Sequence, residues 1–441
     1  MLFLKDFHIL NPGEREFDFY RGSLLVKDGK IVKIYKESEK PKPAEIYGAE
    51  IIPGHSNKLI FPGFIQSHIH LCQTLHRNLA EEMPLLQWLA DEVWPYEAAL
   101  DRKKMGQAVI MGLKEIISSG TTAILDMGTV HEQEVIFEIM GRIGFRYTGG
   151  KAMMDETENA PVELKESMAE SLDESIRLYE KFHRSHDGLL HYALSPRFLL
   201  SCSEELLRRV KIFSDEHDLI IQIHAAEHPQ EVETIKKKTG FGNIAYLEKI
   251  GALNSNTVIA HAVHVDENEK EILRDYAISV VHCPSTNLKL GSGVAPVSEY
   301  VQRGITVGLG ADGAPCNNSL SIFSEMKLAA LLQKGINHDP LLMPAEESLR
   351  MVSLRGAEII KMGDRVGSIE EGLDADLVIL NMDSTQTYNF EKNPAAAIVF
   401  GADARNVYAT MVRGNFLYRE GKFSTTIEAL DRSFNSDLRL L

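Results

Sequence analysis

The chain has 441 residues, 44% hydrophobic and 25% charged, with no low-complexity tract, so it can bury a large core and fill more than one domain. Its formal net charge of −16 argues against nucleic-acid backbones or anionic membranes as the main partner. The one Lys run, at 236–238, sits in a polar helical stretch and reads as a solvated face.

Four scattered cysteines without a C-x-x-C fit free thiols in a reducing compartment. The opening "MLFLKDFHIL" is unlike a signal peptide, and no apolar run is long enough to span a bilayer. We therefore expect a cytoplasmic protein with a small-molecule partner.

In chain order, residues 1–60 are short alternating segments divided by turn signals. "FDFYRGSLLVKDGKIVKIYK" predicts two strands joined at Asp28-Gly29. From residue 61, β-branched runs alternate with helix-period segments, the pattern of βα units and a parallel sheet. Candidate strands cover 64–70, 122–127, 145–153, 189–195, 219–225, 257–262, 278–283 and 305–312. Amphipathic stretches such as "SEELLRRVKIFSDEH" lie between them, and "DENE" at 266–269 reads as a helix cap. Eight strands in this arrangement predict an α/β fold of the (β/α)8 type, with a doubly wound open sheet as runner-up. Strand-and-turn texture returns in the closing segment. We expect residues 1–60 and 363–441 to form a composite β-sandwich, and 61–362 the barrel.

His68 and His70 share one strand face, because side chains alternate. In such a barrel the carboxyl ends of the strands build the active site. The same position recurs as His224, His261, His282 and Asp312 at later strand ends. Nitrogen and carboxylate donors on one concave surface suit Zn²⁺ or Fe²⁺. Glu227, three residues after His224, could move protons at such a site; it equally suits the first turn of a helix. "GLGADG" at 308–313 matches a dinucleotide fingerprint, but no helix starts on its third glycine, and we read the glycines as room for Asp312.

With these residues in place, the chain resembles the amidohydrolase superfamily, in its mononuclear aminohydrolase branch. The carrying motifs are "FPGFIQSHIHL", "HAAE", "AHAVHVDENE", "VVHCPSTNLKLGSG", "LGADGAPCNN" and "GSIEEGLDADLVIL". The resemblance implies one divalent metal, zinc before iron, on His68, His70, His224 and Asp312. It implies Glu227 as proton shuttle, His261 as the group polarising the attacking water, and His282 as a further site histidine.

"CQTLHRNLAEEMPLLQWL" and "WPYE" are similar to methylthioadenosine/S-adenosylhomocysteine deaminases and triazine hydrolases, which places Glu97 at the ribose hydroxyls. "SPRFLLSCSEE" is similar to guanine deaminases, which places Arg197 and Gln73 on the purine. Trp88 and Cys316 are further candidate substrate contacts. Read alone, Arg197 could cap a helix and Gln73 could bind backbone. Lys151 and Leu194 stand where the nucleoside deaminases would have arginine and histidine. The expected activity is hydrolytic deamination of an adenosine-type nucleoside by a homo-oligomer (dimer or tetramer). Another aminopurine such as guanine, or an s-triazine losing amine or chloride, is the alternative. An inactive homologue would lack Glu227 or Asp312, and a two-metal amidase would need a lysine ending the fourth strand.

Overall fold

The computed structural model describes residues 1–37, 39–156 and 160–435. By its internal contacts the chain divides into two units.

The first unit gathers residues 1–66, 114–123 and 321–428 around a nine-stranded sheet. Its order runs Lys422–Phe423, Asn415–Arg419, Val407–Val412, Leu377–Asn381, Lys58–Pro62, Leu2–Asn11, Asp18–Lys27, Lys30–Lys36, with Glu50–Pro53 also paired to Leu2–Asn11. Strands from both parts of the sequence thus hydrogen-bond directly: Ile60 stands opposite Ile379. Leu4, Phe7, Ile9, Leu24, Ile60, Leu377 and Ile379 pack into one core on this sheet. The hairpin at Asp28-Gly29 forms as expected. Asp28 and Gly29 have φ of 52° and 82°, the left-handed pair that matches strand twist in a two-residue turn.

The second unit covers residues 67–113, 124–320 and 429–441. Each of the eight expected strand regions contains a strand. A four-stranded parallel sheet orders Ile221–Ala225, Thr257–His261, Ser279–His282 and Val307–Leu309. A five-stranded sheet orders Leu190–Tyr192, Arg146–Gly150, Thr121–Met127, Phe64–His70 and Asp312–Gly313. A two-stranded parallel sheet pairs Ser195–Pro196 with Ala152–Met153. Every residue of Phe64–His70 and Thr121–Met127 is buried, which explains why these runs lack the alternation of a half-exposed strand.

Helices Arg102–Ser118, Met168–Phe182, Glu204–His217 and Glu267–Asp275 intervene. The last begins with the expected capping box of Asp266 and Glu269. Among the described residues, no helix is long and apolar enough to cross a membrane.

Candidate active site

Three strand ends turn sharply on non-glycine residues with positive φ: Ala226 at 55°, His261 at 75° and Asp312 at 61°. Such backbone costs of order 1–3 kcal/mol per residue and persists where the surroundings enforce it. Gly310 permits the turn at Asp312, since a Cβ there would come within 2.3 Å of the His68 carbonyl oxygen. That close approach, not phosphate binding, accounts for Gly310 in "GLGADG". It pairs Asp312 with Ile69 in parallel register, between the two histidines.

The side chains converge. One donor atom from each of His68, His70, His224 and Asp312 lies within 4.8 Å of all the others. His70 Nε2 is 3.1 Å from His224 Nε2, and Asp312 Oδ1 lies 3.3 Å from His70 Nε2 and 3.5 Å from His68 Nε2. His70 Nδ1 donates to the Met127 carbonyl and His224 Nδ1 to the Arg197 carbonyl, both at 2.7 Å. A carbonyl can only accept, so both Nε2 atoms present lone pairs, and two facing lone pairs need a cation between them.

The charge states agree. Burial first, then neighbouring His68, pushes His70 down to about 4, and the same causes hold His224 well below its ordinary value. Asp312 stays far below the usual carboxylate range because the surrounding histidines overcome the effect of burial. Neutral imidazoles and an ionised carboxylate are the forms that bind a metal. Buried His68 Nε2 faces Asp312 Oδ1 at 3.5 Å and makes no shorter hydrogen bond within the protein, so it too points at this cluster. The donor set fits a divalent ion.

Around this cluster, His261 Nε2 lies 3.5 Å from Glu227 Oε2 and 3.8 Å from Asp312 Oδ2. Asn287 Oδ1 accepts from His261 Nδ1 at 2.9 Å, which leaves Nε2 as the acceptor. Burial, then the Asp312 charge, raises the Glu227 carboxyl well above its ordinary value. His282 is wholly buried, neutral with a pKa near about 3, and both its ring nitrogens lack hydrogen-bond partners.

A pocket opens over His70, His224, Glu227, His261 and Asp312. Gln73, Trp88, Arg197, Phe198, Glu231 and three leucines (Leu85, Leu89, Leu290) form its walls. Leu85–Trp88 and Trp94–Ala98 are short α segments joined by a π turn over Leu89–Val93.

The expected substrate residues form one buried network. Arg197 Nη1 and Nη2 donate to Glu97 Oε2 and Oε1 at 2.6 and 3.1 Å. Gln73 Nε2 donates to Oε1 at 2.8 Å and Thr129 Oγ1 to Oε2 at 3.2 Å. Burial opposes both charges, yet pairing dominates: Glu97 is held below the usual carboxylate range and Arg197 above its own. Glu97 and Cys316 do not line the pocket. The Cys316 thiol donates to the Gly313 carbonyl at 3.1 Å, and its sulfur accepts from Thr286.

His76 stands apart from the cluster, bonded to Glu92 at 3.2 Å and stacked on Tyr96. Lys151 is committed to Glu166 through contacts of 2.6 and 2.7 Å. Sequence reasoning gave no part to Asn287, Thr129 or Glu231. Asn287 lies inside a quoted motif, and Glu231 carries the spacing of a capping residue. Nothing in the local sequence marks Thr129.

Residues 59–417 match the Amidohydrolase family. The chain belongs to the amidohydrolase family. This amidohydrolase is 36% identical to a 5'-deoxyadenosine deaminase of Methanopyrus kandleri, across 91% of this chain and 90% of that protein. It is 33% identical to a 5-methylthioadenosine/S-adenosylhomocysteine deaminase of Pyrococcus furiosus, across 94% of each. The structure superposes on a Xanthomonas campestris adenosine deaminase with bound zinc, with a TM-score of 0.88 and 25% identity. That match covers 100% of this amidohydrolase and 99% of the other chain.

Proposed function

We propose that this amidohydrolase is a zinc-dependent hydrolytic deaminase of an adenosine-type nucleoside, such as 5'-deoxyadenosine, methylthioadenosine or S-adenosylhomocysteine. In this reading residues 61–362 close into a (β/α)8 barrel, and residues 1–60 and 363–441 make a composite β-sandwich. His68, His70, His224 and Asp312 hold the ion. The observation that carries the reading is the convergence of imidazole lone pairs on Asp312 at the pocket floor, with the buried Glu227 carboxyl 3.5 Å from His261 beside it. The names of the relatives support the substrate class.

The ion, when bound, supplies the Lewis acidity that makes water nucleophilic near neutral pH. Glu227 gives its proton to the ring nitrogen as the carbon–oxygen bond forms, and is reprotonated by the attacking water. It then protonates the amine as the carbon–nitrogen bond breaks, and the new hydroxyl returns a proton to it as the product carbonyl forms. His261 Nε2, oriented through Asn287, accepts a hydrogen bond from the water and aligns it. His282, buried and neutral, lies outside the lining of the pocket. The leucines, Phe198 and Trp88 enclose the heterocycle and exclude bulk solvent. The buried Trp88 Nε1–H has no acceptor in the protein and offers a donor to the ring.

One observation favours a second reading. Glu97 already accepts from Arg197, Gln73 and Thr129, so ribose hydroxyls would have to compete with three internal donors. A free aminopurine such as guanine makes no such demand; an s-triazine losing amine or chloride is the smaller variant. An ammonia-release screen across adenosines, guanine, pterins and triazines separates these, with metal analysis on the same sample to distinguish zinc from iron. Release from the nucleosides alone supports the first reading. Release from free bases alone overturns it in favour of the second.

A further inference from the structure

Glu231 lies four residues beyond Glu227, on helix Pro229–Thr239, and is 1% exposed. It belongs to the wall of the same pocket. A glutamate at the third position of a helix ordinarily reaches back to the backbone N–H of the capping residue, here His228. In this chain the stronger bond goes one residue further. Glu231 Oε2 accepts from the Glu227 N–H at 2.8 Å and from the His228 N–H at 3.5 Å. Its other oxygen, Oε1, accepts from Asn243 Nδ2.

The Glu227 backbone needs such a hold. Ala226 before it has φ of 55°, a left-handed turn without glycine. The Ala226 carbonyl accepts from the Val263 and His264 N–H groups, both at 2.9 Å, which pins the turn on its other side. Between these two attachments the Glu227 side chain is aimed at His261, 3.5 Å away. Among the described residues its carboxyl has no lysine or arginine within 4 Å, so its aim depends on the backbone that carries it. A deviation of about 1 Å in a reacting group costs on the order of 10²-fold in rate.

We infer that Glu231 is a positioning residue for the deamination, holding the Glu227 main chain so that its carboxyl meets both water and substrate. This rests on Glu227 being the proton carrier. What Glu231 supplies is an acceptor at a fixed reach, not a charge. Asn243 Oδ1 is buried without a partner, so its amide can turn over and accept from a glutamine placed at 231.

Two substitutions separate reach from charge. E231Q keeps the reach and removes the charge; E231D keeps the charge and withdraws the oxygen by one methylene. Each is compared at equal metal content, with E227Q alongside. We expect E231Q to retain kcat within about threefold of the parent, and E231D to lose about tenfold or more in kcat with KM within about threefold. Inactive E231Q, or fully active E231D, overturns the inference. A fall in KM-limited binding without loss of kcat in E231D does so as well. The underlying reading has its own arm: if E227Q turns over normally, the proton-carrier assignment fails, whatever position 231 does.

Discussion

His70 and His224 each spend Nδ1 on a backbone carbonyl, and that bond fixes which nitrogen faces the pocket. The ligand pattern is thus a property of tautomers as much as of residue type. We expect E227Q to keep its metal and lose at least about 10²-fold in turnover, since proton transfer is worth about 10²–10⁴-fold. Metal analysis beside steady-state kinetics checks this, and normal turnover would contradict it. Lys151 illustrates a residue whose role the sequence left open. Its side chain is 1% exposed and paired with Glu166, and it does not line the pocket, so we read it as a buried structural pair. Replacing it with methionine strands a buried carboxylate, and we expect K151M to lose roughly 3–5 kcal/mol in denaturant unfolding. The double variant K151M/E166L should recover much of that loss.

Strand ends were the most legible elements. A histidine or aspartate closing one strand after another reads directly from sequence, because parallel strands deliver their last side chains to one place. His68, His70, His224, His261 and Asp312 do meet. Contacts made beyond the strand ends were less legible. Glu97, Gln73 and Arg197 were expected as separate substrate contacts, yet they bond to one another, since pairing across 24 and 100 positions has no local signature. The "GLGADG" turn shows how one pattern serves two purposes. We expect G310A to push the Asp312 turn away from His68 and to weaken metal affinity by about 10–100-fold, the usual size for disturbing a ligand's support. Competition with a chromogenic chelator reads this. In the hairpin, G29A places a side chain at φ 82° and should cost about 1 kcal/mol without affecting turnover.

Over the whole chain, the sheet topology explains why the ends of the sequence share one texture. Lys58–Pro62 pairs with Leu377–Asn381, so neither part of the sheet is complete alone. Composition and turn signals showed two β-rich ends, but no local signal specified which strand would join which. A metal bound to the native state alone stabilises it by mass action, so removing the ion should lower the melting temperature, and adding zinc back should restore it. The central claim is that this amidohydrolase removes an amine from an adenosine-type ring using the His68, His70, His224 and Asp312 ion. The most direct measurement is ammonia release from 5'-deoxyadenosine and methylthioadenosine by the purified protein, before chelation, after it, and after zinc is returned. We expect release, loss on chelation and recovery with zinc at about one ion per chain. Undiminished release from the fully chelated protein, or no release from either nucleoside with one ion bound, would contradict it.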